Sequence, residues 1–217
     1  MISPHPDDES VGCGGTLRKH AVEGDAIRVI FVTSGEKGGR RRPPEEAAQV
    51  REQEARAAAK ILGIAEVEFW RQPDGAVHAS PQLVERLRQA IEAWKPQLIY
   101  VTHDREMHPD HRASARLVRC TLADLPPGAR PVVRMYEVWT PMRMMHRIVD
   151  ITPYIDVKIA AIRAHQSQCE VMRFDEALPA LNRYRGEMHS GWPPARYAEI
   201  FTEPRLPHVR AEPRIDN

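Results

Sequence analysis

Two short stretches of this chain concentrate side chains that can bind a cation or move a proton: PHPDDE at Pro4–Glu9 and MHPDH at Met107–His111. Both contain the core His-Pro-Asp. His5 and Asp8 from the first stretch, with one or more of His103, His108 and His111 from the second, make a mixed nitrogen and oxygen donor set. Such a set, with one position left open for water, is what catalytic zinc prefers. Taken singly, each stretch also fits a plainer role: a proline turn with acids at a helix N-terminus, or a proline at N1 beside a capping acid. Chemistry requires that the fold bring the two together.

The elements around them predict that it does. Strand-like runs at AIRVIFVTS (Ala26–Ser34), VEFW (Val67–Trp70) and QLIYVTH (Gln97–His103) alternate with helical stretches at Pro44–Gly63 and Ser80–Pro96. The first of these helices opens on proline and acids and stops at glycine; the second has Ser80 as N-cap and Pro81 at N1. This is the alternation of an α/β fold, a Rossmann-like doubly wound and mostly parallel sheet with helices on both faces. In such a sheet the first and fourth strands are neighbours, and ligands bind beyond their carboxyl ends. With Met1–Ser3 as the remnant of strand one, PHPDDE and the loop THDREMHPDH (Thr102–His111) face each other there. Three residues fall short of the roughly five that cross a sheet, so the chain is expected to begin late, through a miscalled start or trimming. Further on, VVRMYEVWT (Val132–Thr140) and RIVDIT (Arg147–Thr152) read as strands, and Tyr154–Gln166 and Asp175–Met188 as helices. Residues 1–202 are expected to form a single domain. The proline- and charge-rich 203–217 reads as an extended tail or an oligomer arm.

At 217 residues with a net charge of +1, the chain is long enough for one well-buried domain and lacks the bulk charge of a nucleic-acid binder. Cys13, Cys120 and Cys169 are odd in number and widely spaced, as in reduced thiols of a cytoplasmic protein. No apolar run approaches the roughly 18 residues of a membrane span, and no signal peptide is evident.

The residues SPHPDDESVGCGGTL and EMHPDHRAS, followed by AIRAHQSQ (Ala161–Gln168) and YAEIF (Tyr197–Phe201), resemble the PIG-L or LmbE-like family of zinc-dependent deacetylases of N-acetylglucosamine and related amides. The resemblance spans roughly the first 200 residues. It implies that His5, Asp8 and His111 hold one zinc ion per subunit, another divalent transition metal being the alternative. It implies Asp7 as general base and His108, oriented by Asp110, as the group acting on the oxyanion or leaving amine; on chemical grounds His108 is expected to meet the oxyanion in its charged form. Adjacent aspartates cannot easily face one ion, so one can ligate while the other takes a proton from water. The family also implies a small N-acetylated amino-sugar substrate, of the kind handled in low-molecular-weight thiol synthesis among others, and a homo-oligomer, trimer or hexamer.

Arg51 falls in the middle of the apolar face formed by Ala47, Val50, Ala55, Ala58, Ile61 and Leu62. A charge there needs a partner. It either binds substrate, as a family arginine in a similar stretch does, or forms an ion pair, with Glu54 on the same face as candidate. Glu36, in the loop SGEKGGRRRPP, resembles a family glutamate and is a binding candidate; the run Arg40–Arg42 reads as a solvated loop in preference to an anion-contacting lid. His103 reads as hydrogen-bonded at a strand end, His165 as lining or bracing the pocket from a helix. The methionines of PMRMMHR read as packing, a loop edge or an oligomer contact.

Rival readings weaken on inspection. A dinucleotide fold needs a third glycine where Leu17 stands, and Asp7, Asp8 and Glu9 would repel phosphate. A two-metal phosphoester hydrolase needs more bridging carboxylates than these loops supply. A non-catalytic sugar binder has no use for a base beside the metal.

Overall fold

The computed structural model describes residues 1–39 and 42–204. Arg40 and Arg41 of the basic run, and nearly all of the expected tail, lie outside the described residues.

The strands β1 (Ile2–Ser3), β2 (Arg28–Thr33) and β3 (Glu66–Gln72) form one parallel ladder in the order β1-β2-β3, with Ile2 opposite Ile30 and Ser3 opposite Phe31. A second parallel ladder joins β4 (Leu98–Thr102) to β5 (Val132–Tyr136) in unbroken register. The free side of β1 lies against β4. The strand sequence is thus 3-2-1-4-5, doubly wound, and β1 and β4 meet at the point where it reverses.

Side-chain alternation along β2 shows why both faces need helices. Ile30 and Val32 enter one core cluster with Leu83, Leu87, Leu117 and Leu122, the contribution of α3 (Pro81–Trp94) and α4 (Pro109–Ala123). Val29 and Phe31 enter the other with Val11, Leu17, Ala55, Leu62 and Ile162, from α1 (Asp8–Glu23), α2 (Pro44–Leu62) and α5 (Ile155–Ala164). The expected caps form: Ser80 Oγ accepts from the Leu83 amide at 3.2 Å, and Gly63 ends α2 at φ 82°. Within α1, Gly12 permits close packing: a Cβ there would lie 2.2 Å from Cδ2 of the fully buried Tyr136. The glycines of GCGGT thus admit a neighbouring side chain where the dinucleotide reading needs phosphate.

Three expected boundaries move. The Val132–Thr140 strand stops at Tyr136 because the amides of Val138, Trp139 and Thr140 turn to the Glu106 carboxylate instead of a ladder. The Tyr154–Gln166 helix ends at Ala164; His165, at ψ 58°, separates it from a short α6 (Gln166–Cys169). The expected Arg147–Thr152 strand is β6 (Arg147–Asp150), antiparallel to β7 (Ala198–Phe201), a strand formed by the YAEIF motif. A bridge between Met135 and Thr202 ties this pair to β5, and α7 (Phe174–His189) packs on β7. No helix of the described residues is long and apolar enough to cross a membrane.

Candidate metal centre

The loop leaving β1 is pinned where it starts: Pro4 O accepts both the amide and the hydroxyl of Thr33, each at 3.0 Å. From there His5 turns under the sheet end, and Asp8 opens α1. Across the switch point, Thr102 Oγ1 donates to His111 O at 2.9 Å and holds the first turn of α4 against β4. His5 and His111, 106 residues apart, are both buried and face each other.

Three donor atoms converge. His5 Nδ1 lies 3.2 Å from Asp8 Oδ2, His111 Nε2 lies 3.3 Å from His5 Nδ1, and His111 Nε2 lies 3.2 Å from Asp8 Oδ2. Tetrahedral zinc, bound at about 2.0–2.1 Å, spaces its ligands about 3.3–3.4 Å apart. The near-equilateral triangle therefore fits such an ion. Two other groups share His5, one with His108 and His111, the other with Asp74 and Asp110. The second is better explained as support, since Asp110 already accepts the amides of Gly75 at 2.6 Å and Val77 at 3.1 Å. Its Oδ2 also meets His5 Nε2 at 3.1 Å, and Asp74 Oδ1 meets the same nitrogen at 3.2 Å. With Nδ1 turned to the triangle, Nε2–H faces two carboxylates, the arrangement that orients a ligating histidine.

The electrostatics follow the packing. Burial alone would lower the His5 pKa, but Asp110, Asp74 and Asp8 outweigh it and raise it well above the usual imidazole value. Burial would raise Asp8; His111 and His5 instead drive it far below the carboxylate range. Against the same burial, His5 and the Lys37 amide bring Asp74 down to about 2. Asp7 goes the other way, pushed up to about 6 by burial against the pull of Arg51. His108 is lowered by burial, then by His5 and His111.

Several sequence expectations change. Asp110 was expected to orient His108; its carboxylate serves His5, and only its backbone amide reaches His108, donating to Nδ1 at 3.2 Å. That bond leaves the His108 proton on Nε2, and the lowered pKa favours this neutral form over the charged one expected. Arg51 is buried as expected but its partner is not Glu54, which accepts instead from Ser167. The guanidinium donates to Pro6 O at 2.8 Å and Gly35 O at 2.9 Å and lies 3.2 Å from Asp7 Oδ2. The loop after β2 wraps around it: a Cβ on Gly35, at φ 65°, would fall 2.2 Å from Arg51 Nη1. Glu36 faces the neighbouring loop, where its Oε1 accepts the Asp74 amide at 2.7 Å while Asp74 Oδ2 accepts the Lys37 amide at 3.0 Å. His103 donates to Thr140 O at 2.8 Å.

Sequence reasoning missed Asp74 and the role of Glu9. Asp74 follows β3, whose end is a third strand terminus at the same sheet edge; its place after a strand, in QPDG, was the available signal. Glu9 Oε2 accepts the Asp7 amide at 3.1 Å, and Oε1 meets His165 Nε2 at 2.8 Å. His165 thus braces the Asp7 turn through Glu9.

Residues 1–122, which carry both His-Pro-Asp motifs, match the PIG-L family, described as GlcNAc-PI de-N-acetylase. The chain belongs to the PIG-L family. Among curated relatives, the 1D-myo-inositol 2-acetamido-2-deoxy-alpha-D-glucopyranoside deacetylase of Kineococcus radiotolerans is 25% identical over 273 residues, covering 91% of this chain and 75% of its own. Among solved structures, the conserved protein TT1542 of Thermus thermophilus superposes with a TM-score of 0.81 at 31% identity, covering 97% of both chains. The N,N'-diacetylchitobiose deacetylase of Pyrococcus horikoshii gives 0.81 at 25% identity, over 93% of this chain and 81% of that one. A 4-carboxy-2-hydroxymuconate hydratase of Pseudomonas gives 0.82 at 24% identity over 94% and 95% of the two chains, a likeness of fold alone.

Proposed function

We propose that this PIG-L protein is a metal-dependent hydrolase that removes the acetyl group from an N-acetylated amino sugar of the N-acetylglucosamine type. The observation that carries the reading is the triangle of His5 Nδ1, Asp8 Oδ2 and His111 Nε2, with edges of 3.2–3.3 Å and the Asp7 carboxyl on the residue beside it. A divalent ion there, zinc by the donor set, supplies Lewis acidity that lowers the pKa of water to about 7 and polarises a carbonyl. Deacetylation needs three further tasks from the chain. Asp7 takes the proton of the attacking water and delivers it to the departing amine. His108, with its proton on Nε2, donates to the carbonyl oxygen as it gains charge. Asp110 and Asp74 hold His5, and Arg51 and Glu9 hold Asp7. The names of the relatives support an acetylated glucosamine conjugate as the substrate class.

The test is amine release from a panel of N-acetylglucosamine conjugates, with metal content measured alongside. Asp7→Asn is expected to keep its metal and lose about 10²–10⁴-fold in turnover, the usual worth of a positioned base. Undiminished turnover in that variant removes Asp7 from the mechanism; no amine release by the metal-loaded wild type on any acetylated sugar removes the substrate class. We also propose that 1–202 is the catalytic unit, acting in the cytoplasm as a homo-oligomer. Exposed Tyr184, Met188 and Trp192 near one end of α7 support association, which light scattering tests.

A further inference from the structure

Glu106, whose carboxylate ends β5, is one of the most deeply buried acids among the described residues, 1% exposed. Its carboxylate sits in a cradle of consecutive backbone amides. Oε1 accepts from Val138 at 2.7 Å and Trp139 at 3.0 Å, and Oε2 accepts from Thr140 at 3.1 Å. An ionised carboxylate has about four acceptor positions, two on each oxygen. Oε1 has filled both of its own. Oε2 has one left, and 4.0 Å from it is His111 Nδ1.

That nitrogen is the counterpart of the vacant acceptor position. His111 is wholly buried, and its Nδ1 has no hydrogen-bond partner among the described residues. When Nε2 binds a cation, the neutral ring carries its proton on Nδ1, and a buried N–H without an acceptor costs about 1–3 kcal/mol. The nearby competitor is already committed. His103 lies 3.4 Å from Oε1, but its Nδ1 accepts the Arg105 amide at 3.2 Å, so its proton is on Nε2 and goes to Thr140 O at 2.8 Å.

We propose that Glu106 is a positioning residue for the metal centre: its free Oε2 position accepts Nδ1–H of His111, fixes that ring as an Nε2 ligand, and couples metal binding to the 138–140 loop. The inference rests on the metal-centre reading above and goes beyond it. A closure of about 1 Å brings the 4.0 Å separation into hydrogen-bond range. The Glu106 side chain and the His111 ring can share that shift while Thr102 holds the His111 backbone.

Glu106→Gln keeps the size but replaces one acceptor oxygen with an NH2 that confronts the Thr140 amide and His111 Nδ1–H. Zinc affinity, measured by chelator competition on the folded full-length protein, is expected to weaken about 10–100-fold. Thr140→Val is the control: it removes the hydroxyl that accepts the Met107 amide at 2.9 Å and so loosens the same loop contact, but leaves the carboxylate in place. Its zinc affinity should stay within about twofold of wild type. Equal zinc affinity in Glu106→Gln and wild type overturns the proposal, and so does an equal loss in Thr140→Val, since that would make the effect a matter of loop integrity. Should Glu106→Gln not fold, the zinc-loaded wild type decides by nitrogen-15 histidine spectra: a slowly exchanging, downfield Nδ1–H on His111 is expected, and a rapidly exchanging one overturns the proposal. Zinc failing to bind the wild type while His5→Ala behaves identically overturns the metal-centre reading as well, a result distinct from loss in Glu106→Gln alone.

Discussion

Arg51 separates two accounts of this site most sharply, because a buried guanidinium can either touch substrate or hold the base. The structure favours holding. The side chain is 5% exposed, and its donors go to Pro6 O at 2.8 Å, Gly35 O at 2.9 Å and Asp7 Oδ2 at 3.2 Å. Arg51→Met fills similar space and leaves two carbonyls and a carboxylate facing methyl and sulfur. Removing one partner of a buried charge pair costs about 3–5 kcal/mol. In a protein of this size each kcal/mol moves Tm by about 2–4 °C, so Tm is expected to fall by about 6–20 °C. Loss of the anchor frees the Asp7 carboxyl to leave its position, so kcat should drop by about 10² or more, while KM changes by less than about threefold. Arg51→Lys keeps the charge but not the fork, and cannot reach all three acceptors at once; it should fall between the two. Calorimetry and steady-state amine release give the numbers. A rise in KM of about tenfold or more, with Tm and kcat unchanged, would refute the reasoning and return Arg51 to the substrate.

Two further substitutions test the supporting structure. Asp110→Asn offers one acceptor oxygen where Gly75 N, Val77 N and His5 Nε2 now share two; metal affinity should weaken about 10–100-fold, with about 1–3 kcal/mol of stability lost. Intact metal binding with reduced kcat alone would instead make Asp110 a partner of His108. Gly12→Ala places a Cβ 2.2 Å from the Tyr136 ring. Overpacking of about 1–3 kcal/mol or more should outweigh the roughly 1 kcal/mol that alanine adds to a helix, giving a lower urea midpoint; a higher midpoint would show that the ring yields freely.

The two His-Pro-Asp loops could be read from sequence as neighbours because strand order alone brings them together, and strand order follows from the alternation of apolar runs and helices. The ends of α2 and α3 were legible for a local reason, since Pro44, Gly63, Ser80 and Pro81 act on their own backbone. What escaped depends on side-chain direction or distant partners. Whether the Asp110 carboxylate turns to His5 or His108 is set within one helical turn, below the reach of spacing. Arg51 announced itself as a buried charge, but its partner lies 44 positions away on a loop whose turn no periodicity describes. Asp74 reaches His5 from a strand end where the β2–β3 register shifts between Phe31 and Thr33 and Arg71 takes φ 54°, irregularities that a strand-forming sequence does not advertise. The Val132–Thr140 run looked like a longer strand because its residues have strand propensity; the Glu106 carboxylate outcompetes a ladder for its last amides.

Adjacent aspartates can do different work here because their backbones differ. Asp7 has φ 148° and ψ −30°, a conformation that costs a non-glycine residue about 1–3 kcal/mol. Such strain persists only where the surroundings over-determine it. Here the Asp7 carbonyl accepts the amides of Ser10 at 3.0 Å and Val11 at 2.9 Å, fixing the residue to the first turn of α1. Its own amide goes to Glu9, Glu9 is held by His165, and Arg51 clamps both Pro6 O and the Asp7 carboxyl. The kink turns Asp7 toward Arg51 while Asp8, one residue on and already helical, faces His5 and His111. Glu9 and His165 touch none of the three converging donors, yet they belong to the site: they hold the strained turn that lets one carboxylate ligate while its neighbour stays free to move a proton.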